Sequence, residues 1–246
     1  MVKNKVLKYG VISVLVIFVI IIGGVFAWVN NTYKPSQELL SLVSQDDYQK
    51  VGDFYVFDPK IEPNGDGIVL YPGALVEPLS YAYYADELSE QGYLVAIAEV
   101  PLNLSIMDNE KASQFIEQHD EINSWYVGGH SMGGVSATIY AKNHQDKVDG
   151  VILLGSYPSE STDLSQTDLN VLSIYAENDG LSTIKKIEDK ASNLPSETTY
   201  VEIEGGNHAQ FGMYGEQSGD GEATISTLIQ QNEIINNTLY FLSHLK

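Results

Sequence analysis

What most limits the fold of this chain is a regular alternation, from residue 54 onward, of short apolar runs with segments of helical spacing. The runs FYVF, GIVLYPG, YLVAIAEV, WYVGG, GVILLG, VLSIYAE and TYVEIEG read as seven strands. Between them YAYYADELSEQG, EKASQFIEQH, GGVSATIYAKNH and TIKKIEDKASN carry helical periodicity. The last segment, Glu222 to Leu245, sets Ile225, Leu228, Ile229, Ile235, Leu239 and Leu242 along one stripe. Near-continuous apolar strands need cover on both faces, and parallel neighbours need crossover helices to join them. The pattern therefore predicts an α/β chain: a three-layer α/β/α sandwich around a mostly parallel sheet of about seven strands. In such sheets ligands bind at the carboxyl ends of the strands.

The 246 residues suit one such domain, and with 43% hydrophobic residues they supply an ample core. No cysteine is present, which excludes disulfides, thiolate metal sites and cysteine redox chemistry. The formal charge is -20 and every basic residue is a lysine, so the surface repels nucleic acid and anionic headgroups.

Residues 1–8 form a short basic tail bearing Lys3, Lys5 and Lys8. Residues 9–29, YGVISVLVIFVIIIGGVFAWV, carry no charge over a length sufficient to cross a bilayer core as a helix, and they read as one N-terminal transmembrane signal anchor. The preceding lysines hold that end in the cytoplasm, so the rest of the chain is expected outside the cell membrane, with Trp28 at the interface. Val25-Phe26-Ala27 also has signal-peptidase spacing, and cleavage after Ala27 would give a secreted protein, but the apolar run is long for a signal segment. Residues 30–50 are polar with a short apolar helical stripe at Leu39, Leu40 and Val43 and suit a stem, leaving 51–246 as the compact domain.

Within WYVGGHSMGG, Ser131 lies between a strand and a helix inside Gly129-His130-Ser131-Met132-Gly133, a G-x-S-x-G match in the strand-turn-helix context that this chemistry requires. A nucleophilic serine has to project from a very tight turn, where side chains two positions before and after would strike backbone. The following helix N-terminus brings backbone N–H groups and a positive dipole end suited to an oxyanion. A serine needs a base, and the base an acid behind it. Of the five histidines, His130 neighbours Ser131 and suits packing, while His119, His144 and His244 suit the surface. His208, after the strand and Gly-Gly turn of YVEIEGGNH, is the expected base. VLSIYAENDG supplies the acid: Asp179 at the tip, with Glu177 the lower-ranked alternative. The chain order Ser131, Asp179, His208 is the one expected of this sheet and not of chymotrypsin-like or subtilisin-like proteases. The backbone N–H groups of Ala74, in YPGALVEP, and of Met132 are the candidate oxyanion donors.

The motifs GHSMGG, YPGALVEPLSYAYYADELSEQGYLV, YAENDG and GGNHAQFG resemble those of the α/β-hydrolase superfamily. The likeness is to the small exported group described as alpha/beta hydrolase fold-5, related to dienelactone-hydrolase-like esterases. It covers about Phe54 to Leu245 and departs from the pattern at Pro72, where many relatives have histidine, and at Ala176, where many have glycine. It implies hydrolysis of an ester, thioester, lactone or amide through an acyl-serine, without metal or organic cofactor. The segment SYPSESTDLSQTDLN leaves no room for a cap domain, so small or extended acyl substrates are expected. Phe211 and Tyr214, after His208, are candidates for an apolar substrate wall, with packing on their own domain as the alternative. SGDGE lacks the spacing of an EF-hand loop. A carboxylic-ester hydrolase is the leading expectation. An acyltransferase using the same acyl-serine is the alternative, and a non-catalytic tethered binding protein the third.

Overall fold

The computed structural model describes residues 2–29 and 31–245, which form two compact units, one ending at Thr32 and one starting at Tyr33. The first unit is a single helix, α1 (Val2–Val29). Among the described residues no helix is long and apolar enough to cross a membrane, so the span expected over 9–29 is not supported by the structure. Part of that expectation lies outside the described residues: within α1 the longest run with described side chains is 14–25. The side chains of the basic tail, 1–8, also lie outside the described residues.

The second unit begins earlier than the expected residue 51. Tyr33 N–H donates to Leu75 O at 2.7 Å, Tyr33 O accepts from Glu77 N–H at 2.9 Å, and Ser36 N–H donates to Met213 O at 2.8 Å. Ser36 caps α2 (Gln37–Leu42) by accepting from Leu39 N–H. Leu39 and Val43, one helical turn apart, are buried, whereas Leu40 stays exposed. Burying a Leu or Val side chain stabilises by about 1.5–3 kcal/mol, so two apolar residues on one face suffice to dock a segment that composition alone marks as a stem.

Among the described residues one sheet of eight strands follows: β1 (Gln49–Val51), β2 (Phe54–Phe57), β3 (Asp66–Tyr71), β4 (Leu94–Ala98), β5 (Ser124–His130), β6 (Gly150–Leu154), β7 (Asn170–Ala176) and β8 (Thr199–Ile203). Their order is β1-β2-β4-β3-β5-β6-β7-β8. β1 and β2 are antiparallel to their neighbours and the remainder is parallel. The strand missing from the sequence expectation is β1. It is three exposed residues, QKV, closed onto β2 by a turn at Gly52, and carries no apolar alternation that would reveal it.

Alternate residues of β3 feed two cores. Ile68 and Leu70 join Ile152, Leu172, α3 (Ala82–Ser89) and the last helix, while Val69 and Tyr71 join Val127, Val151 and Leu153 beneath α4 (Ser113–Ile116) and α5 (Met132–Asn143). After β7 comes α6 (Ile184–Lys190), and the chain closes with α7 (Thr227–Ser243). α7 starts later than its apolar stripe predicts because Thr224 N–H is used by Gly205 O at 2.7 Å and Ser226 provides the helix cap. Register levels the strand ends that matter: Tyr71 pairs with Gly129, and Ala176 with Ile203.

Candidate active site

Ser131 occupies the turn between β5 and α5 with φ 53° and ψ −120°, a left-handed conformation that an L-residue adopts only under constraint. The constraint is the close approach of backbone on every side. A Cβ on Gly129 would lie 2.3 Å from the carbonyl carbon of Gly133, and one on Gly133 would lie 2.0 Å from Tyr71 O. Each glycine is thus demanded by contact rather than by flexibility. Ser156, which sequence reasoning did not single out, donates its hydroxyl to Ser131 O at 2.6 Å and steadies the turn from below.

Asp179 and His208 follow the level ends of β7 and β8, and the structure brings them together. Asp179 Oδ2 is 2.7 Å from His208 Nδ1, and both side chains are wholly buried. The other oxygen, Oδ1, accepts from Leu181 N–H at 2.8 Å and Ser182 N–H at 2.6 Å, which fixes the carboxylate plane. With Nδ1 donating to the carboxylate, His208 Nε2 is left as a bare acceptor, and among the described residues it is buried without a partner. Glu177 instead accepts from Gly205 N–H at 2.8 Å, tying the acid turn to the base turn without touching His208.

His130 packs as expected of the residue before the serine. It is completely buried, its ring lies 4.4 Å from that of His208, and its Nδ1 is 2.9 Å from the Tyr81 hydroxyl. That hydroxyl accepts from Gly73 N–H at 2.9 Å, so its proton goes to His130 Nδ1. Burial, reinforced by the neighbouring His208, holds His130 well below the usual imidazole range and keeps it neutral.

The same pair supports the turn after β3. Gly73, Leu75 and Val76 all spend their N–H groups inside the fold, on Tyr81 Oη, Asn103 O and Gly73 O. The Ala74 amide between them donates to nothing among the described residues. Met132 is the first residue of α5, where an N–H has no acceptor within its own helix. The turn after β3 and the start of α5, which follow the level ends of β3 and β5, thus each hold one free amide.

Of the two placements expected of Phe211 and Tyr214, an apolar wall or packing on their own domain, the structure has them packed on the domain. Phe211 is 1% exposed and stacks on His130 with centroids 5.7 Å apart. Tyr214 is also buried, packs against Tyr33 at 5.4 Å and donates its hydroxyl to Gln217 Oε1. Their loop is drawn down because Met213 N–H donates to Ser80 O and Met213 O accepts from Ser36 N–H. Both rings belong to the floor under His130.

The residue that sequence reasoning missed is Asp220, in SGDGE. Its Oδ1 accepts from Gly180, His208 and Gly221 N–H at 3.1, 3.2 and 2.7 Å, and its Oδ2 from Ala209 N–H at 2.8 Å. One carboxylate thereby joins the turn that carries Asp179 to the turn that carries His208. An aspartate between two glycines signals a turn and nothing more, so its partners were legible only in three dimensions.

The sequence matches the Alpha/beta hydrolase family over residues 67–232, about two thirds of the chain. No curated protein matches. Among solved structures, a predicted CIB-like hydrolase from Thermoplasma acidophilum is similar at a TM-score of 0.58 and 20% identity, over 79% of this chain and 95% of that one. An alpha-beta serine hydrolase homologue from Coxiella burnetii gives 0.58 and 15%, over 79% and 98%. Est1E from Butyrivibrio proteoclasticus gives 0.58 and 13%, over 80% and 98%. At these identities the likeness is one of fold.

Proposed function

We propose that this chain, which belongs to the Alpha/beta hydrolase family, is a serine hydrolase that cleaves carboxylic esters or thioesters through an acyl-serine. The observation that carries the reading is the buried Asp179–His208 pair, which leaves one bare imidazole nitrogen at the carboxyl edge where Ser131 is held in a strained turn. Asp179 holds the Nδ1–H tautomer and stabilises the imidazolium that forms during the reaction. Ser131 Oγ attacks the ester carbonyl as His208 Nε2 takes its proton. The oxyanion is met by the amides of Ala74 and Met132. Collapse breaks the bond to the alcohol, which leaves with the proton from His208. Water then repeats the sequence on the acyl-serine and restores the free enzyme.

Turnover of p-nitrophenyl esters by the purified full chain tests this reading. Hydrolysis with a burst of p-nitrophenol is expected. Release of the acyl group onto an added alcohol in preference to water would reassign the protein as an acyltransferase, and no turnover with any ester would refute the assignment.

An outward-facing location at the cell membrane is proposed from the sequence alone, from an uncharged run at 9–29 behind three lysines. Protease added to intact cells is expected to remove the domain that begins at Tyr33. Digestion only after lysis would contradict that orientation.

A further inference from the structure

Among the described residues, the non-glycine residues with positive φ are Leu75 (58°), Leu102 (58°), Asn103 (52°) and Ser131 (53°). They sit in the turns after β3, β4 and β5, which are adjacent in the order β4-β3-β5. Strain of this kind, of order 1–3 kcal/mol per residue, persists where the surroundings over-determine it and gathers at functional sites. Here the surroundings are visible. Asn103 O accepts from Leu75 N–H at 2.7 Å, and the buried Ser105 donates its hydroxyl to Pro72 O at 2.5 Å. The loop at 101–107 is therefore bonded to both flanks of the turn that offers the Ala74 amide.

What that rigid loop presents is apolar. Leu102, Ile106 and Met107 are 51%, 42% and 58% exposed, three large hydrophobic side chains within six residues. A leucine forced into a left-handed conformation and left in water is doubly unfavourable, which argues for an occupant. The sheet order says which one. Asp179 and His208 follow β7 and β8, on one side of Ser131, and His208 must deliver its proton to the departing alcohol. The alcohol therefore leaves toward β7 and β8. An acyl chain running the opposite way would pass the oxyanion turn of β3 to the loop after β4, the next strand in the order.

The geometry points to residues 101–107 as the acyl-side subsite of this enzyme, with Leu102, Ile106 and Met107 receiving a linear aliphatic acyl chain. The inference rests on the serine-hydrolase reading above and names its substrate class: esters of aliphatic acids longer than butyrate. The test is kcat/KM of the full chain on p-nitrophenyl acetate, butyrate, hexanoate and octanoate. Wild type is expected to favour octanoate over acetate by about tenfold or more. Leu102→Asn, which tolerates the left-handed conformation, and Ile106→Ser combined with Met107→Ser should each collapse that ratio mainly through KM. Ile61→Ser, at an exposed residue on another loop, should leave it intact. A wild-type enzyme that turns over acetate as well as octanoate overturns the inference, as do variants that lose both substrates equally. Variants that lose adsorption to phosphatidylcholine vesicles while keeping the chain-length profile would overturn it in favour of a membrane contact. Absence of any ester turnover in wild type would remove the catalytic reading itself and the subsite with it.

Discussion

Replacing His208 by alanine is expected to lower kcat for ester hydrolysis by about four to six orders of magnitude while leaving the fold intact. The size of the effect follows from the bonding of the ring. Its Nδ1 is committed to Asp179 at 2.7 Å and its Nε2 has no other partner among the described residues, so no second group stands ready to take the Ser131 proton. His130 is unsuited to the task although its ring is only 4.4 Å away, because its Nδ1 is occupied by the Tyr81 hydroxyl and burial disfavours the protonated form that a base must become. His119 and His144 pair at the surface with Glu121 and Glu110, and alanine at either should change kcat less than twofold. Steady-state kinetics of the three variants decide the matter. Equal losses in all three would show that the choice of base is unfounded.

Gly133→Ala should damage stability and activity together. Alanine is the better helix former by about 1 kcal/mol, and Gly133 lies in the first turn of α5, so propensity alone would favour the change. Against it, the added Cβ would stand 2.0 Å from Tyr71 O and 2.7 Å from Pro72 O. Both are backbone atoms that no rotamer change can move aside. Overpacking of this kind costs about 3 kcal/mol at the upper end of the usual range, leaving a net loss of about 2 kcal/mol. For a domain of this size that is a fall in Tm of about 4–8 °C, readable by thermal denaturation. Any relief must push the β3 turn outward, which displaces the Ala74 amide and should lower kcat more than it raises KM. An unchanged or raised Tm would contradict the packing argument.

The sheet and the position of the serine were legible because both depend on local pattern. Seven apolar runs spaced by helical segments admit few arrangements, and glycines at 129 and 133 are forced by backbone contacts that any such turn creates. Asp179 stands at the turn tip and Glu177 before it, and the structure gives the two carboxylates different partners, an imidazole and a backbone amide. What escaped the sequence were contacts between segments distant along the chain. Residues 33–43 look like a polar stem until Tyr33 and Ser36 find Leu75 and Met213. Phe211 and Tyr214 read equally as a binding wall or as packing until their loop is pulled against His130 and Tyr33. Asp220 looks like a turn residue until its carboxylate meets four amides from two loops. None of these follows from periodicity, since each depends on which turns the parallel sheet sets side by side.

The central claim, that Ser131 is an activated nucleophile, is tested most directly by covalent labelling. The full chain treated with a fluorophosphonate probe should take up one equivalent, located by peptide mass analysis on Ser131. The reaction should slow greatly in His208→Ala and vanish in a folded Ser131→Ala variant. Labelling of Ser131→Ala at the wild-type rate, or a label found on another residue, would contradict the account.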